Sequence, residues 1–284
     1  PVTDRPLRLS VTEIKTLIRD PYAIYARHIL RLRALEKIDD DPGAADKGNI
    51  IHNILDRFIS EGSTNLTEDA LPRLLALGRI NFQPYERVPG VMAFWWPRFE
   101  RIAVWFIDNE RSWRESAQPL ATEVSGKLSL AGPAGEFILS AKADRIDRLQ
   151  DGGLVIVDYK TGSVPAEMHV LAGRHPQLPL EAVIAEAGGF DGVAPEAVER
   201  LAHWSLTGGD PAGELKPLKA DVAEVAATAK QGLLELIAKF DDPDTPYLAL
   251  PRPQTQPTWN DYAHLERVQE WSSGDGDGGD GAGA

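Results

Sequence analysis

The chain has 284 residues, 43% hydrophobic and 26% charged, with a formal net charge of −13 at pH 7 and no cysteine. A chain of this length buries a core without staples, and the missing thiols exclude disulfides, thiolate zinc sites and cysteine-held iron–sulfur clusters. No apolar run approaches the roughly 18 residues needed to cross a bilayer and no signal-peptide pattern opens the chain, so no membrane partner is expected and a cytoplasmic setting is.

Pro1 stands where an initiator Met would, so a piece of a longer polypeptide is expected. The acidic balance argues mildly against a nucleic-acid partner, but charge is unevenly spread. Residues 1–37 hold eight basic side chains against four acidic ones. That stretch reads either as a solvated helix face or as a phosphate or partner contact.

Ser10 with Glu13 three residues on predicts a capping box and a helix start. Val11, Ile14, Leu17 and Ile18 then recur at helical spacing. Asp20-Pro21 ends this helix, and Pro21 suits the first turn of the next. Residues 36–46 read as an acidic linker and Lys47 to Ile59 as a helix with Ile51, Ile54, Leu55 and Phe58 inward. Residues 66–80 look helical. The aromatic-rich stretch 91–113 reads as a core helix, because Trp95, Phe99, Ile102 and Phe106 share one face.

After Pro119 the pattern changes. Residues 121–130, 136–148 and 153–160 predict an antiparallel meander of three strands, with turns at Gly132–Gly135 and Asp151–Gly153. A helix is expected from Pro176 to Ala187, a strand over 199–206 and a long amphipathic helix from Asp221 to Phe240. A proline-rich connector, a short helix over 259–271 and a disordered acidic, glycine-rich tail over 272–284 close the chain.

The chemistry concentrates in Val155-Ile156-Val157-Asp158-Tyr159-Lys160-Thr161-Gly162. Side chains alternate across a strand, so Asp158 and Lys160 share a face while Tyr159 points away. Asp144 and Asp147 lie on the preceding strand, three residues apart, so only one of them faces the same site. Two carboxylates can hold a hard divalent cation. A lysine beside them can stabilise charge that develops on a phosphate. An Asp-x-Lys alone is a weak signal, since a surface ion pair gives the same pattern. Its weight comes from the other pieces: Gly48 and His52 on an upstream helix, Glu123 on the strand before Asp144, and Gln177 opening the helix after Lys160.

In this order the motifs resemble the RecB-type branch of the PD-(D/E)XK nucleases, and more closely the C-terminal nuclease domain of AddB-type subunits of AddAB helicase–nucleases. The resemblance runs over nearly the whole chain, from Leu9-Ser10-Val11-Thr12-Glu13-Ile14 to Asn260-Asp261-Tyr262. It implies a mixed α/β restriction-endonuclease-like core sheet flanked by helices. An N-terminal helical docking segment over 1–45 precedes a nuclease domain over 46–271, with a helical insertion at about 60–115. It implies a bacterial, Mg²⁺-dependent deoxyribonuclease in which Mn²⁺ can substitute. His52, Asp144, Asp158 and the Tyr159 carbonyl would hold the metal, Lys160 would position or activate the attacking water, and Gln177 would lie beside the site. The implied partners are DNA and an AddA-type helicase–nuclease subunit, acting in double-strand-break repair.

Two features depart from that pattern. Many AddB-type domains hold an iron–sulfur cluster on four cysteines; here Asp20-Pro21 occupies the first position and the chain has no cysteine. The Trp- and Pro-rich C-terminal segment is a candidate replacement staple. Related chains often carry tyrosine four residues after the glutamine, where this one has Glu181. Gln177 itself reads equally well as a helix-start residue. Arg145 and Asp147 read as a structural ion pair. A nuclease-fold module without catalysis, kept for DNA guidance or subunit docking, is the alternative reading, and a stand-alone exonuclease of the Cas4 type is a third.

Overall fold

The computed structural model describes residues 1–33, 42–62, 66–249 and 261–266. The expected tail over 272–284 lies outside these residues, as do most of the expected linker and half of the proline-rich connector. Of the helix expected over 259–271, Ala263–Glu266 is helical.

The N-terminal capping box forms as expected. The Ser10 backbone N–H donates to Glu13 Oε2 at 2.9 Å, and the Glu13 N–H donates to Ser10 Oγ at 3.2 Å. This starts α1 (Val11–Arg19). Asp20 caps the short α2 (Pro21–Ile24), whose first residue is the proline, and a π-helical turn, Tyr25–Ile29, continues it. Three helices follow: α3 (Ala44–Ser60), α4 (Ala70–Phe82) and α5 (Pro89–Arg114). Along α5 the expected apolar face is buried at Phe99, Ile102 and Phe106, with Trp96 beside them, while Phe94 points to solvent.

Among the described residues one six-stranded mixed sheet carries the fold. The meander is β2 (Ala117–Gly132), β3 (Gly135–Leu149) and β4 (Leu154–Lys160). Gly152 and Gly153, with φ of 97° and 83°, make the tight return from β3 to β4 that residues with a Cβ rarely adopt. From β4 the chain passes through α6 (Glu167–Leu171) and α7 (Gln177–Glu186) to β5 (Val198–Ser205). That strand lies parallel to β4, as a helical crossover requires. An edge strand β6 (Glu214–Pro217) pairs with β5, and α8 (Val222–Asp241) follows. A further strand, β1 (Arg8–Ser10), runs parallel to β3 ahead of α1. Neither β1 nor β6 was expected from the sequence, because strands of three and four residues are too short to display a period.

The sheet separates two cores. Ile14, Leu139, Ile156, Leu180, Leu201 and Leu233 pack on the face covered by α1, α7 and α8. Ile54, Phe58, Leu74, Phe106, Val157 and Tyr159 pack on the face covered by α3, α4 and α5. Strand β4 is buried on both faces, which is why its apolar run is continuous.

The chain beyond α8 is tied back to the N-terminal segment. The Arg5 guanidinium donates to the carbonyls of Phe240 (2.5 Å), Asp242 (2.7 Å), Pro243 (3.1 Å) and Thr245 (3.2 Å). Tyr247 packs against Phe240 with ring centres 4.8 Å apart and planes tilted by 45°, and the Tyr22 N–H donates to the Leu248 carbonyl at 3.2 Å. Arg5→Ala should therefore cost about 1–2 kcal/mol, the half-buried contacts contributing most. Thermal unfolding reads this as a fall of a few degrees, about 2–4 °C per kcal/mol at this chain size. An unchanged melting temperature would remove the strap from the account of stability.

Candidate metal and active site

The site sits where β3 and β4 part. Their ladder ends at Arg145↔Val157. One residue beyond, the Asp144 side chain takes the place of a backbone partner: the Tyr159 N–H donates to Asp144 Oδ2 at 2.8 Å. In an extended strand a residue's C=O leaves the same edge as its N–H, so the Tyr159 carbonyl also faces this fork. The fork lies at the carboxyl end of β4, where open α/β sheets bind ligands.

On one side α3 delivers His52. Its Nδ1 lies 3.4 Å from Asp144 Oδ1 and 3.9 Å from Glu123 Oε1. Gly48, one turn earlier, lets α3 approach the end of β4, since a Cβ there would stand 3.2 Å from Thr161 Oγ1. One turn later, Asp56 accepts a hydrogen bond from Thr122 Oγ1 and pins α3 to β2. Glu123 sits between Thr122↔Arg145 and Val124↔Ala143 in the β2–β3 register, opposite Asp144. Its φ of 47° is uncommon for a residue with a side chain. Lys142 Nζ holds its other oxygen at 2.5 Å. One donor atom from each of His52, Glu123 and Asp144 lies within 4.8 Å of the others. Glu123 had no role assigned to it from the sequence. The usable signal was an acid one strand before Asp144, but its facing depends on that unusual φ.

On the other side stand Asp158, Lys160 and Gln177. Lys160 Nζ donates to Asp158 Oδ1 at 2.7 Å, and Gln177 Nε2 donates to the same oxygen at 2.7 Å. Lys160 Nζ also lies 3.3 Å from Gln177 Oε1. Gln177 is the first residue of α7 and touches both charged groups, so it holds them in register as well as opening a helix. Asp158 lies outside the His52–Glu123–Asp144 set, yet its Oδ2 is buried without a hydrogen bond.

The electrostatics follow from burial. Burial pushes the Asp158 carboxyl up to about 6, eased by Lys160 and aggravated by Asp144. Burial opposes the Lys160 ammonium, but Asp158 outweighs it and the pKa stands above the usual value. The same contest at His52, burial against Asp144, also ends with the imidazolium favoured. Glu181, one turn along α7, is held well above the carboxylate range by burial and by Asp158 and Asp144, and it accepts from Gln177 Nε2 at 3.2 Å. His203, on β5 opposite Asp158, is pushed down to about 4 by burial and by Lys160.

Arg145 and Asp147 turn to the opposite face. Arg145 is fully buried and pairs with Glu110 and Asp147, each at 2.6 Å. Arg114 donates to Glu110 at 2.7 Å and the Trp113 indole donates to Asp147 at 2.7 Å. The pair is structural and takes no part in the fork.

The donor set fits a hard divalent cation. It offers carboxylate oxygens, an imidazole and the Tyr159 carbonyl, and the buried Asp158 Oδ2 accepts no hydrogen bond, with His203 Nε2 standing 4.0 Å from it.

Comparison with known proteins agrees with this geometry. The profile of the PD-(D/E)XK nuclease superfamily matches residues 8–252. An uncharacterized protein of Rickettsia bellii is 28% identical over 273 residues, which are 92% of this chain and 32% of that protein. A second, from Rickettsia conorii, is 32% identical over 192 residues, 65% of this chain and 23% of that protein. An ATP-dependent helicase/deoxyribonuclease subunit of Streptococcus mutans is 27% identical over 182 residues, 62% of this chain and 16% of that protein. The chain thus spans a third or less of the length of these relatives. With its mixed sheet, its flanking helices and a family match over most of its length, the chain belongs to the PD-(D/E)XK nuclease superfamily.

Proposed function

We propose that this chain is a Mg²⁺-dependent deoxyribonuclease module that hydrolyses phosphodiester bonds of DNA strands unwound by a partner helicase, in double-strand-break repair. The observation that carries the reading is the fork itself: His52, Glu123 and Asp144 converge within one ligand sphere, with Asp158 and Lys160 alongside. Similarity to a helicase/deoxyribonuclease component supports an AddA-type helicase–nuclease partner.

A bound Mg²⁺, or Mn²⁺ in its place, supplies Lewis acidity toward a phosphate oxygen and a water. His52, Glu123, Asp144, Asp158 and the Tyr159 carbonyl are the groups that would hold it. Lys160 keeps its proton at neutral pH and presents an N–H donor to charge that builds on the phosphate. Asp158 and Gln177 fix the direction of that donor. Tyr159 packs its ring against His52, 5.8 Å away and edge-on, and so limits the imidazole's rotation.

The test is a cleavage assay on labelled single-stranded DNA with Mg²⁺ and with EDTA, for the native chain and Asp144→Asn. Cleavage should need the cation and fall at least about a hundredfold in the variant. Cation-independent cleavage, or an unaffected variant, would overturn the reading. DNA binding without cleavage in any divalent cation would leave a guidance role instead.

Metal affinity should also depend on pH. The cation needs an ionised Asp158 and a neutral His52, and both groups hold protons more tightly than usual. Lowering the pH below about 6 should therefore weaken Mn²⁺ binding by about tenfold or more per unit, because each bound cation must displace a proton. Calorimetric titration at two pH values measures this. Equal affinity at both would exclude Asp158 from the ligand set.

A further inference from the structure

We infer that Glu181 is a positioning residue for the cleavage step: from within the apolar helix α7 its carboxyl braces the Gln177 side chain, and through it the Asp158–Lys160 pair. The inference rests on the nuclease reading and adds a residue to it.

Helix α7 is buried without a break from Leu178 to Ala185, and Glu181 is the only polar side chain in that run. Its neighbours Leu178, Leu180 and Ile184 belong to the core on that face of the sheet. Glu181 is 1% exposed, and its Oε2 is buried without a hydrogen bond. Among the described residues it forms no salt bridge. A carboxyl in such surroundings is costly. Burial, Asp158 and Asp144 all favour its neutral form. A leucine would complete the apolar helix at lower cost, so packing gives no reason for a carboxyl there.

The contact that Glu181 does make supplies one. It stands four residues after Gln177 and so shares its face of α7, and Glu181 Oε1 accepts from Gln177 Nε2 at 3.2 Å. A primary amide has two N–H donors and one carbonyl acceptor, and Gln177 engages all of them. Its Nε2 also donates to Asp158 Oδ1 at 2.7 Å, and its Oε1 faces Lys160 Nζ at 3.3 Å. Lys160 in turn donates to Asp158 at 2.7 Å. The amide therefore closes a triangle of hydrogen bonds, and the remaining N–H is the handle by which its plane is held. Glu181 holds that handle. Its carboxyl offers an acceptor oxygen whether neutral or ionised, so the brace does not depend on titration. Leucine at this position would leave one Nε2 hydrogen against an apolar wall, and the amide would turn away to pair it, releasing the ammonium from its direction.

The experiment compares the full native chain with Glu181→Leu, Glu181→Gln, Gln177→Ala and the double variant of Glu181→Leu with Gln177→Ala. Cleavage of labelled single-stranded DNA is followed in saturating Mg²⁺. Glu181→Leu should lower kcat about tenfold and leave KM within about twofold, as the loss of an outer-shell hydrogen bond does. Glu181→Gln keeps a carbonyl acceptor and should recover most of that loss. Adding Glu181→Leu to Gln177→Ala should cost nothing further, because the brace acts through the amide. The melting temperature of Glu181→Leu should not fall. A second measurement needs neither cation nor substrate. In EDTA the Nε2 protons of Gln177, identified in heteronuclear NMR spectra by their loss in Gln177→Ala, should exchange with water faster in Glu181→Leu. An unchanged kcat in Glu181→Leu, or no recovery in Glu181→Gln, would overturn the inference. So would a double variant clearly worse than Gln177→Ala, or a lower melting temperature with kcat per folded molecule kept. If the native chain cleaves nothing in Mg²⁺ while the Gln177 protons exchange faster in Glu181→Leu, the brace stands and the nuclease reading falls. If the native chain cleaves and Glu181→Leu changes neither kcat nor exchange, the nuclease reading stands and the brace falls.

Discussion

Lys160→Ala should lower Mg²⁺-dependent cleavage by about a hundred- to a thousandfold, the usual cost of removing one donor from developing negative charge. The ammonium sits 2.7 Å from Asp158 Oδ1 in a partly buried position, and a water in its place would not carry its charge. DNA affinity should change far less, within about fivefold, because Lys160 acts chiefly on charge that develops during the reaction. The substitution has a second effect with a definite sign. Burial already places the Asp158 carboxyl at about 6, and Lys160 is the neighbour that most restrains it. Without that ammonium the carboxyl moves further up, so less of it is ionised at pH 7. The acid limb of the rate–pH profile should therefore shift to higher pH in the variant, and its deficit should be larger at pH 7 than at pH 8.5. Cleavage assays across that range measure both effects. Full activity in Lys160→Ala would remove the lysine from the chemistry, and a lower rate with an unmoved acid limb would uncouple it from Asp158.

The largest effect on stability is expected on the other face of the sheet. Arg145→Ala leaves the carboxylates of Glu110 and Asp147 facing each other without their shared cation, all three positions being fully buried. Breaking a buried pair by removing one partner costs about 3–5 kcal/mol, and the guanidinium also packs over the Trp204 ring at 5.5 Å. At this chain size the melting temperature should fall by about 10 °C. Arg145→Lys should recover only part of the loss, because a single ammonium cannot reproduce the forked bonds to two carboxylates. Thermal unfolding decides the matter: a shift under about 2 °C for Arg145→Ala would show that Arg114 and the surrounding dipoles suffice to hold the two acids. Arg145 follows Asp144 directly, so this network also anchors the strand that carries the fork. Damage to it should reduce activity through the unfolded fraction, with metal affinity per folded molecule kept.

These two residues mark what local sequence can and cannot convey. The alternation in β4 placed Asp158 and Lys160 together and turned Tyr159 away, because a strand's period of two holds wherever it is buried on both faces. The spacing of Asp144 and Asp147 required them to part company, and they lie on opposite faces. The capping box of Ser10 and Glu13 and the apolar face of α5 were equally legible, since each depends on residues within one or two turns. The absence of cysteine alone excluded a thiolate-held cluster. Tertiary structure decided the rest. Glu123 comes within reach of His52 and Asp144 from a position whose backbone adopts a positive φ opposite Asp144, which no pattern of hydrophobic residues encodes. Strand β1 enters the sheet beside β3 across well over a hundred residues of chain, and it leads directly into α1, which lines a pocket together with Lys160 and Gln177. Periodicity reports which face a side chain takes on its own element; which elements meet is settled by long-range burial and register, to which a local window is blind.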